Sequence, residues 1–239
     1  MKLLDVTLDT PAENLALDEA LLETAEEGAR PREVLRLWES PLPMVVLGRS
    51  SRVAEEVDQA ECEARGVPIL RRCSGGAAIV AGPGCLMYAV VLSYELRPEV
   101  RLVAEAHGAV LQILARALRP LVPGLCCAGT SDLTVSGKKV AGNSLRCKRT
   151  HLLYHGTLLY NLPLDLIAQC LRTPPRQPDY RNGRSHEAFL TNLGVPAADL
   201  RQALIRGWEA DERCPEWPLA ETQQLVATKY SRASWNHCL

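Results

Sequence analysis

The chain has 239 residues, 27 Lys+Arg against 28 Asp+Glu, a formal net charge of −1, 47% hydrophobic and 23% charged residues. These values are those of an ordinary globular chain long enough to bury a core. They exclude a strongly basic nucleic-acid clamp and a polybasic membrane anchor, and no apolar run reaches the ~18 residues that read as a membrane span.

In chain order, Thr10-Pro11-Ala12-Glu13 has the make-up of a capping box with proline at the first helical position. It predicts a helix to about Glu27 with Leu15, Leu21 and Leu22 turned inward. Strands are expected at Val34–Trp38 and Met44–Gly48, separated by the turn Ser40-Pro41-Leu42-Pro43. A short helix over about 56–65, a strand Val67–Arg71 and a glycine-rich turn follow, then an apolar strand Leu86–Tyr94. Val103, Ala106, Val110, Ile113, Leu114 and Ala117 fall near a 3.6-residue period, so about 100–118 reads as helix, stopped by Pro120. Leu133–Ser136 and Val140–Arg146 read as a hairpin, and Leu152–Tyr160 as a strand. Helices close the chain at about 163–172, 198–210 and 219–229, with an Arg- and Pro-rich segment at Thr173–Ser185. Strands and helices come in mixed order without a steady βαβ alternation. The fold class is therefore α+β, a mixed β-sheet with packed helices, over one domain spanning 1–239.

There is a single Phe, so the core must be built from Leu, Val, Ile and Ala. The nine cysteines form no C-x-x-C pair and have irregular spacing, which suits neither a zinc ribbon nor a disulfide framework. The amino-terminal MKLLDVTLDT lacks the long apolar stretch of a signal peptide. A reduced, cytoplasmic protein with mostly packed thiols is the expectation.

Three stretches carry chemistry. Arg71-Arg72-Cys73-Ser74-Gly75-Gly76-Ala77-Ala78 reads as a small-residue loop whose N–H groups could cradle an anion beside two forked cations, or as a plain turn with solvated arginines. Gly129-Thr130-Ser131-Asp132 with Gly137-Lys138-Lys139-Val140-Ala141-Gly142 offers one acid and a lysine emerging from a strand, or merely a hairpin tip. Lys138 reads as solvated, and Lys139, one step on, as facing the other way. His151, Tyr154 and His155-Gly156-Thr157 place a histidine on an apolar strand, either orienting a substrate or satisfied in the core.

Together, RRCSGG, GTSDL…GKKVAGNS and YHGTLLYN resemble the lipoate–protein ligase family, within the lipoyl/biotin ligase and octanoyltransferase superfamily. Its pattern runs R-R-x-S-G-G-G-A-V-x-H-D, N-D-[IL], K-[IV]-[SA]-G-[ST]-A, H-G-T-[IL]-L. The segments NLALDEAL, LRLW and VLGR extend the likeness over about 12–190. The resemblance implies the lipoyl/biotin ligase catalytic fold and ATP-dependent activation of lipoate or octanoate to acyl-AMP. The acyl group then passes to a lysine of a lipoyl-domain protein. It implies Lys139 as the catalytic lysine, touching the acyl carbonyl and the α-phosphate. It also implies Arg72, Ser74, Gly75, Gly76, Ala77, Ala78, Ile79, Val80, Gly142, His155 and Gly156 around the ATP or acyl-AMP, with Asp132 helping to place Mg²⁺ through phosphate. Many two-domain members of the family carry an accessory carboxy-terminal domain, and the resemblance leads us to expect none after the match here, so a separate accessory subunit is a candidate partner, unless that part is dispensable or the chain is a transferase.

The chain departs from the pattern at Ala77, at Ala81-Gly82 in place of His-Asp, at Cys85, and at Ser131 before Asp132. These departures sit where a ligand would lie and leave two alternatives standing. One is an octanoyl- or lipoyltransferase acting through a thioester on Cys126 or Cys127; the other is a non-catalytic lipoyl-binding relative. The basic segment Arg176–Arg181 with Arg184-Ser185-His186 either covers the site, meets an acidic lipoyl domain, or is a solvated loop.

Overall fold

A computed structural model describes residues 1–239. Strand β1 (Lys2–Asp5) precedes helix α1 (Pro11–Glu27), whose capping box forms as the sequence dictates. The Thr10 hydroxyl accepts from the Glu13 amide, and Glu13 reaches back to the Thr10 amide at 2.9 Å. Strands β2 (Val34–Trp38) and β3 (Met44–Leu47) follow. The expected helix at 56–65 is two short turns, α2 (Val53–Glu56) and α3 (Gln59–Ala64), because Asp58 caps a new helix instead of continuing the old one. Next come β4 (Ile69–Arg71), β5 (Ile79–Ala81), β6 (Cys85–Ser93) and α4 (Val103–Leu118). Strands β7 (Cys126–Ala128), β8 (Asp132–Val135), β9 (Lys138–Cys147) and β10 (His151–Leu159) form a meander. The chain ends with α5 (Leu164–Cys170), α6 (His186–Phe189), α7 (Ala197–Gly207), β11 (Glu212–Arg213), α8 (Leu219–Leu225) and α9 (Ala233–Asn236).

Eight strands make one mixed sheet in the order β11-β1-β2-β6-β10-β9-β8-β7. Its β11–β1–β2 edge is parallel and the rest antiparallel. A second sheet, β4-β3-β5, lies apart and carries the glycine-rich stretch between β4 and β5. The strands β1, β5, β7 and β11 were not legible as strands: each has two to four residues, too few to show alternation. Strands β6 and β10 are buried along their whole length, as continuous apolar runs should be in the middle of a covered sheet. One sheet face packs Tyr88, Val90, Leu152 and Tyr154 against α4 and α7, through Val110, Leu114 and Leu200. The other face packs Ala89, Val91 and Leu153 under α1, through Leu17, Leu21 and Leu22. Leu15 alone of the three predicted inward leucines joins a different cluster, the apolar lining under the small sheet. No helix is long and apolar enough to cross a membrane.

The carboxy-terminal turn is tied beside the glycine-rich stretch by Arg71. Its fully buried guanidinium donates to the carbonyls of Gly48, Ser51, Trp235 and Asn236 at 2.7–3.2 Å. A buried cation without a carboxylate is tolerated here because its donors meet carbonyl oxygens on several sides.

Candidate active site

A cavity of about 420 Å³ opens between the two sheets. Leu15, Val46, Val80, Met87, Leu159 and Ile167 give it an apolar end, and Asp132 and Lys139 a charged one.

Lys139 reaches that end because β9 carries an extra residue. Leu133 pairs with Ala141 but Thr134 pairs with Lys139, so Val140 has no partner on β8. Without this bulge, residues 139 and 142 would face opposite sides of the strand. With it, Lys139 Nζ turns back over Gly142 and lies 2.8 Å from Asp132 Oδ1. A Cβ on Gly142 would stand 2.7 Å from that ammonium, so a side chain there would push the flexible lysine tip aside. Bulges of this kind re-aim side chains next to sites. Lys138 is exposed at the hairpin tip and Lys139 half-buried, as the alternation of the hairpin implies.

The second oxygen of Asp132 accepts from the Tyr180 hydroxyl at 2.7 Å. Burial beside this carboxylate raises the Tyr180 hydroxyl well above its ordinary range, which keeps it a donor. Tyr180 belongs to the Arg- and Pro-rich segment, and Pro174, Arg176, Gln177, Pro178 and Arg181 of that segment line the cavity. Arg181 is 3% exposed, lies 4.8 Å over the Phe189 ring, and its Nη2 has no hydrogen-bond partner. A desolvated cation with a free donor group favours an anion in its neighbourhood.

Of the residues singled out by sequence, Arg72, Gly76, Ala77, Ala78, Ile79, Val80, Asp132, Lys139, Gly142, His155 and Gly156 line this one cavity. Ser74 and Gly75 do not; they lie just behind it. Two features of the loop bear on these expectations. First, Arg72 lines the cavity with its guanidinium already engaged within the protein. All three of its guanidine nitrogens donate within the protein: Nε to Ser74 Oγ at 3.1 Å, Nη1 to the Val46 carbonyl at 3.0 Å, and Nη2 to the Gly75 and Ala77 carbonyls. Burial lowers its pKa to about 10. Arg72 holds the loop in shape. Second, the loop amides are not all open to an anion, since the Ala78 amide already donates to Glu56 Oε2 at 2.6 Å.

His155 is likewise engaged at both ring nitrogens. Its Nε2 shares a 2.5 Å hydrogen bond with Ser74 Oγ, and its Nδ1 lies 3.3 Å from Asp18 Oδ2. Arg36 Nη1 donates to the other oxygen of Asp18 at 2.5 Å, and both are fully buried. This chain joins α1 and β2 to the glycine-rich loop. It could not be read from spacing, since its members are 18 to 137 residues apart.

The thioester alternative is not supported by position. Cys126 and Cys127 lie on the edge strand β7, exposed, with Cys126 Sγ at the Gly124 carbonyl and Cys127 Sγ at the Leu111 carbonyl. Desolvation raises the Cys127 thiol, the opposite of activation. None of the nine cysteines lines the cavity. As for magnesium, Asp132 is the one carboxylate of the cavity wall, both its oxygens are engaged, and no group of three potential metal ligands exists. The residues present do not fit a protein-held magnesium site.

Two sheets, a glycine-rich loop on the smaller one and a lysine re-aimed by a bulge define a catalytic-domain architecture that comparison places in a family. The chain belongs to the lipoyl protein ligase A/B catalytic domain family, whose model matches residues 10–206. It is 27% identical over 264 residues to octanoyltransferase LipM of Anoxybacillus flavithermus, covering 95% of this chain and 94% of that one. It is also 27% identical over 252 residues to lipoate-protein ligase A subunit 1 of Thermoplasma acidophilum, covering 96% and 94%. The structure of the bi-partite lipoate protein ligase of Thermoplasma acidophilum superposes with a TM-score of 0.85 at 24% identity, over 99% of this chain and 95% of that one. Relatives in both reaction classes thus match over nearly the whole chain.

Proposed function

We propose that the protein is an ATP-dependent lipoate–protein ligase. The observation that carries this reading is the Lys139–Asp132 pair at the end of an apolar slot, with no thiol on its walls. A thioester route needs a nucleophile within reach of the acyl carbonyl; a ligase needs cations where oxygens gain charge.

On this reading the acyl chain of lipoate or octanoate lies along Leu15, Val46, Met87 and Ile167, and its carboxylate meets Lys139. A carboxylate oxygen attacks the α-phosphorus of ATP, a P–O bond forms, and the bond to pyrophosphate breaks. The Lys139 ammonium stabilises charge on the phosphoryl and carboxyl oxygens. The lysine amine of a lipoyl domain then attacks the carbonyl carbon. The C–O bond to AMP breaks and the amine loses a proton. Binding of triphosphate requires Asp132 to release Lys139 or Tyr180, and Arg181 supplies a cation that has no anion of its own. Any magnesium would have to come with the nucleotide, since the cavity wall offers only the engaged Asp132 carboxylate. The relative from Thermoplasma acidophilum, described as bi-partite and studied with its E2 lipoyl domain, supports a lipoyl domain as acceptor and a separate accessory subunit as partner.

The reading is tested by pyrophosphate–ATP exchange. Label should enter ATP only when lipoate or octanoate is present, and Lys139→Ala should abolish it. Absence of exchange with either acid in the unmodified protein contradicts the ligase assignment. The LipM relatives favour a second reading, transfer from an octanoyl carrier protein. That reading predicts an acyl adduct on a cysteine, detectable by intact mass.

A further inference from the structure

Gly156 of β10 stands in register between Tyr88 of β6 and Asn143 of β9. A Cβ on Gly156 would overlap the Asn143 side-chain oxygen. Because position 156 has no side chain, the Tyr88 hydroxyl reaches across β10 and donates to Asn143 Oδ1 at 2.5 Å. The same amide then donates through Nδ2 to the Ser131 carbonyl at 2.7 Å. Ser131 immediately precedes Asp132 and belongs to the three-residue turn between β7 and β8. Asp132 is paired in turn with Gly142, next to Asn143. A row of polar contacts therefore runs from β6 past β10 to β9 and on to the turn before β8, ending on the peptide that carries the Asp132 carboxylate.

Resting on the ligase reading, we propose that Asn143 is a positioning residue for Asp132. Its amide fixes the Ser131 carbonyl while Lys139 and Tyr180 hold the Asp132 carboxylate. Two independent holds, one on the peptide and one on the side chain, leave the carboxylate little freedom. This matters at the moment the ion pair opens for a phosphate: one side-chain hold is then exchanged, and the Asn143 bond adds to the strand pairing of Asp132 in keeping the turn in place. An amide is the suitable group, because one end must accept from Tyr88 and the other donate to a carbonyl. An aspartate of the same shape could not donate to the carbonyl and would set a second negative charge beside Asp132. The glycine of the His-Gly-Thr stretch gains a definite task on this account: it is the gap through which the row passes.

The test compares Asn143→Ala, Asn143→Ser and the double variant Ser131→Asn/Asn143→Ser, which returns an amide to the same junction from the other strand. Each is assayed with whichever donor the unmodified protein uses, alongside hydrogen exchange of its backbone amides. Asn143→Ala should lower kcat tenfold or more, with KM for the acyl acid within twofold. Amide exchange over 129–133 should speed up while β6 and β10 stay protected. The double variant should recover to within threefold of the unmodified protein. Unchanged kcat in a folded Asn143→Ala, or faster exchange spread evenly over the sheet, overturns the proposal; so does a double variant no better than the single ones. The exchange measurement is independent of substrate, so it separates failure of this inference from failure of the ligase reading.

Discussion

Lys139 and Gly142 meet on one face: the bulge turns the lysine inward, and the missing side chain at 142 leaves its ammonium where it lies. Lys139→Ala should therefore lower acyl transfer by about a hundredfold or more, the scale of losing one preorganised charge-stabilising donor. The protein should stay folded, because Lys139 is only half-buried and its loss leaves Asp132 with Tyr180. Full activity in the variant, measured on a lipoyl-domain acceptor, would remove Lys139 from the chemistry. Gly156→Ala tests the neighbouring row. The added methyl must displace Asn143 or part β9 from β10, an overpacking cost of about 1–3 kcal/mol. Thermal unfolding should show a clear loss of stability, and an unchanged midpoint would mean that the row yields without cost. At this scale the sequence was a good guide to which residues gather and a poor one to what each does. Eleven of the residues it singled out share one cavity wall. Yet Arg72 and His155 turn out to hold the loop, because their partners are backbone carbonyls and residues far away in sequence. Motif spacing carries no trace of such bonds.

Among the elements, α1 does more than cover the sheet. It carries Asp18 to His155 and Glu26 to the β9–β10 turn. Burial works against the Glu26 charge. Bonds from the Thr150 hydroxyl and from the amides of Thr150, Arg149 and His151 more than offset it, lowering the carboxyl from 4.5 to about 2. A depressed carboxylate contributes stability that is fully present above its unfolded pKa and is lost as pH falls through the folded one. The Glu26 contribution should thus disappear between about pH 4.5 and pH 2. Glu26→Gln should flatten the stability–pH curve in that window and destabilise the protein at neutral pH, as read by denaturant unfolding at several pH values. A variant with the parent slope would show that the turn gains nothing from the charge. Long elements such as α1, α4, β6 and β10 were legible because a cap, a helical period or a long apolar run marks them. The segment 173–185 showed only its charge and prolines. Its course over the cavity is set by Tyr180 on Asp132 and by Arg184 on the carbonyls of Gly137 and Tyr180, contacts that belong to the folded chain alone.

For the whole molecule, the two sheets divide the work. The large sheet supplies Lys139, Asp132 and His155; the small one supplies the loop, and the cavity lies where they meet. The near-zero net charge of the chain suits this arrangement, since the cations needed are local and fixed, not spread over a surface. The chain carries nine cysteines without a C-x-x-C pair. Four of them are buried, and the two weighed as nucleophiles sit on an edge strand and do not line the cavity. Membership of a family that includes both ligases and transferases leaves the donor as the central question. It is answered by offering the protein a lipoyl domain with either lipoate plus MgATP or octanoyl carrier protein without nucleotide, and following the mass of the acceptor. The account predicts a lipoylated lysine and pyrophosphate in the first mixture and no change in the second. Modification from octanoyl carrier protein in the absence of ATP would contradict it.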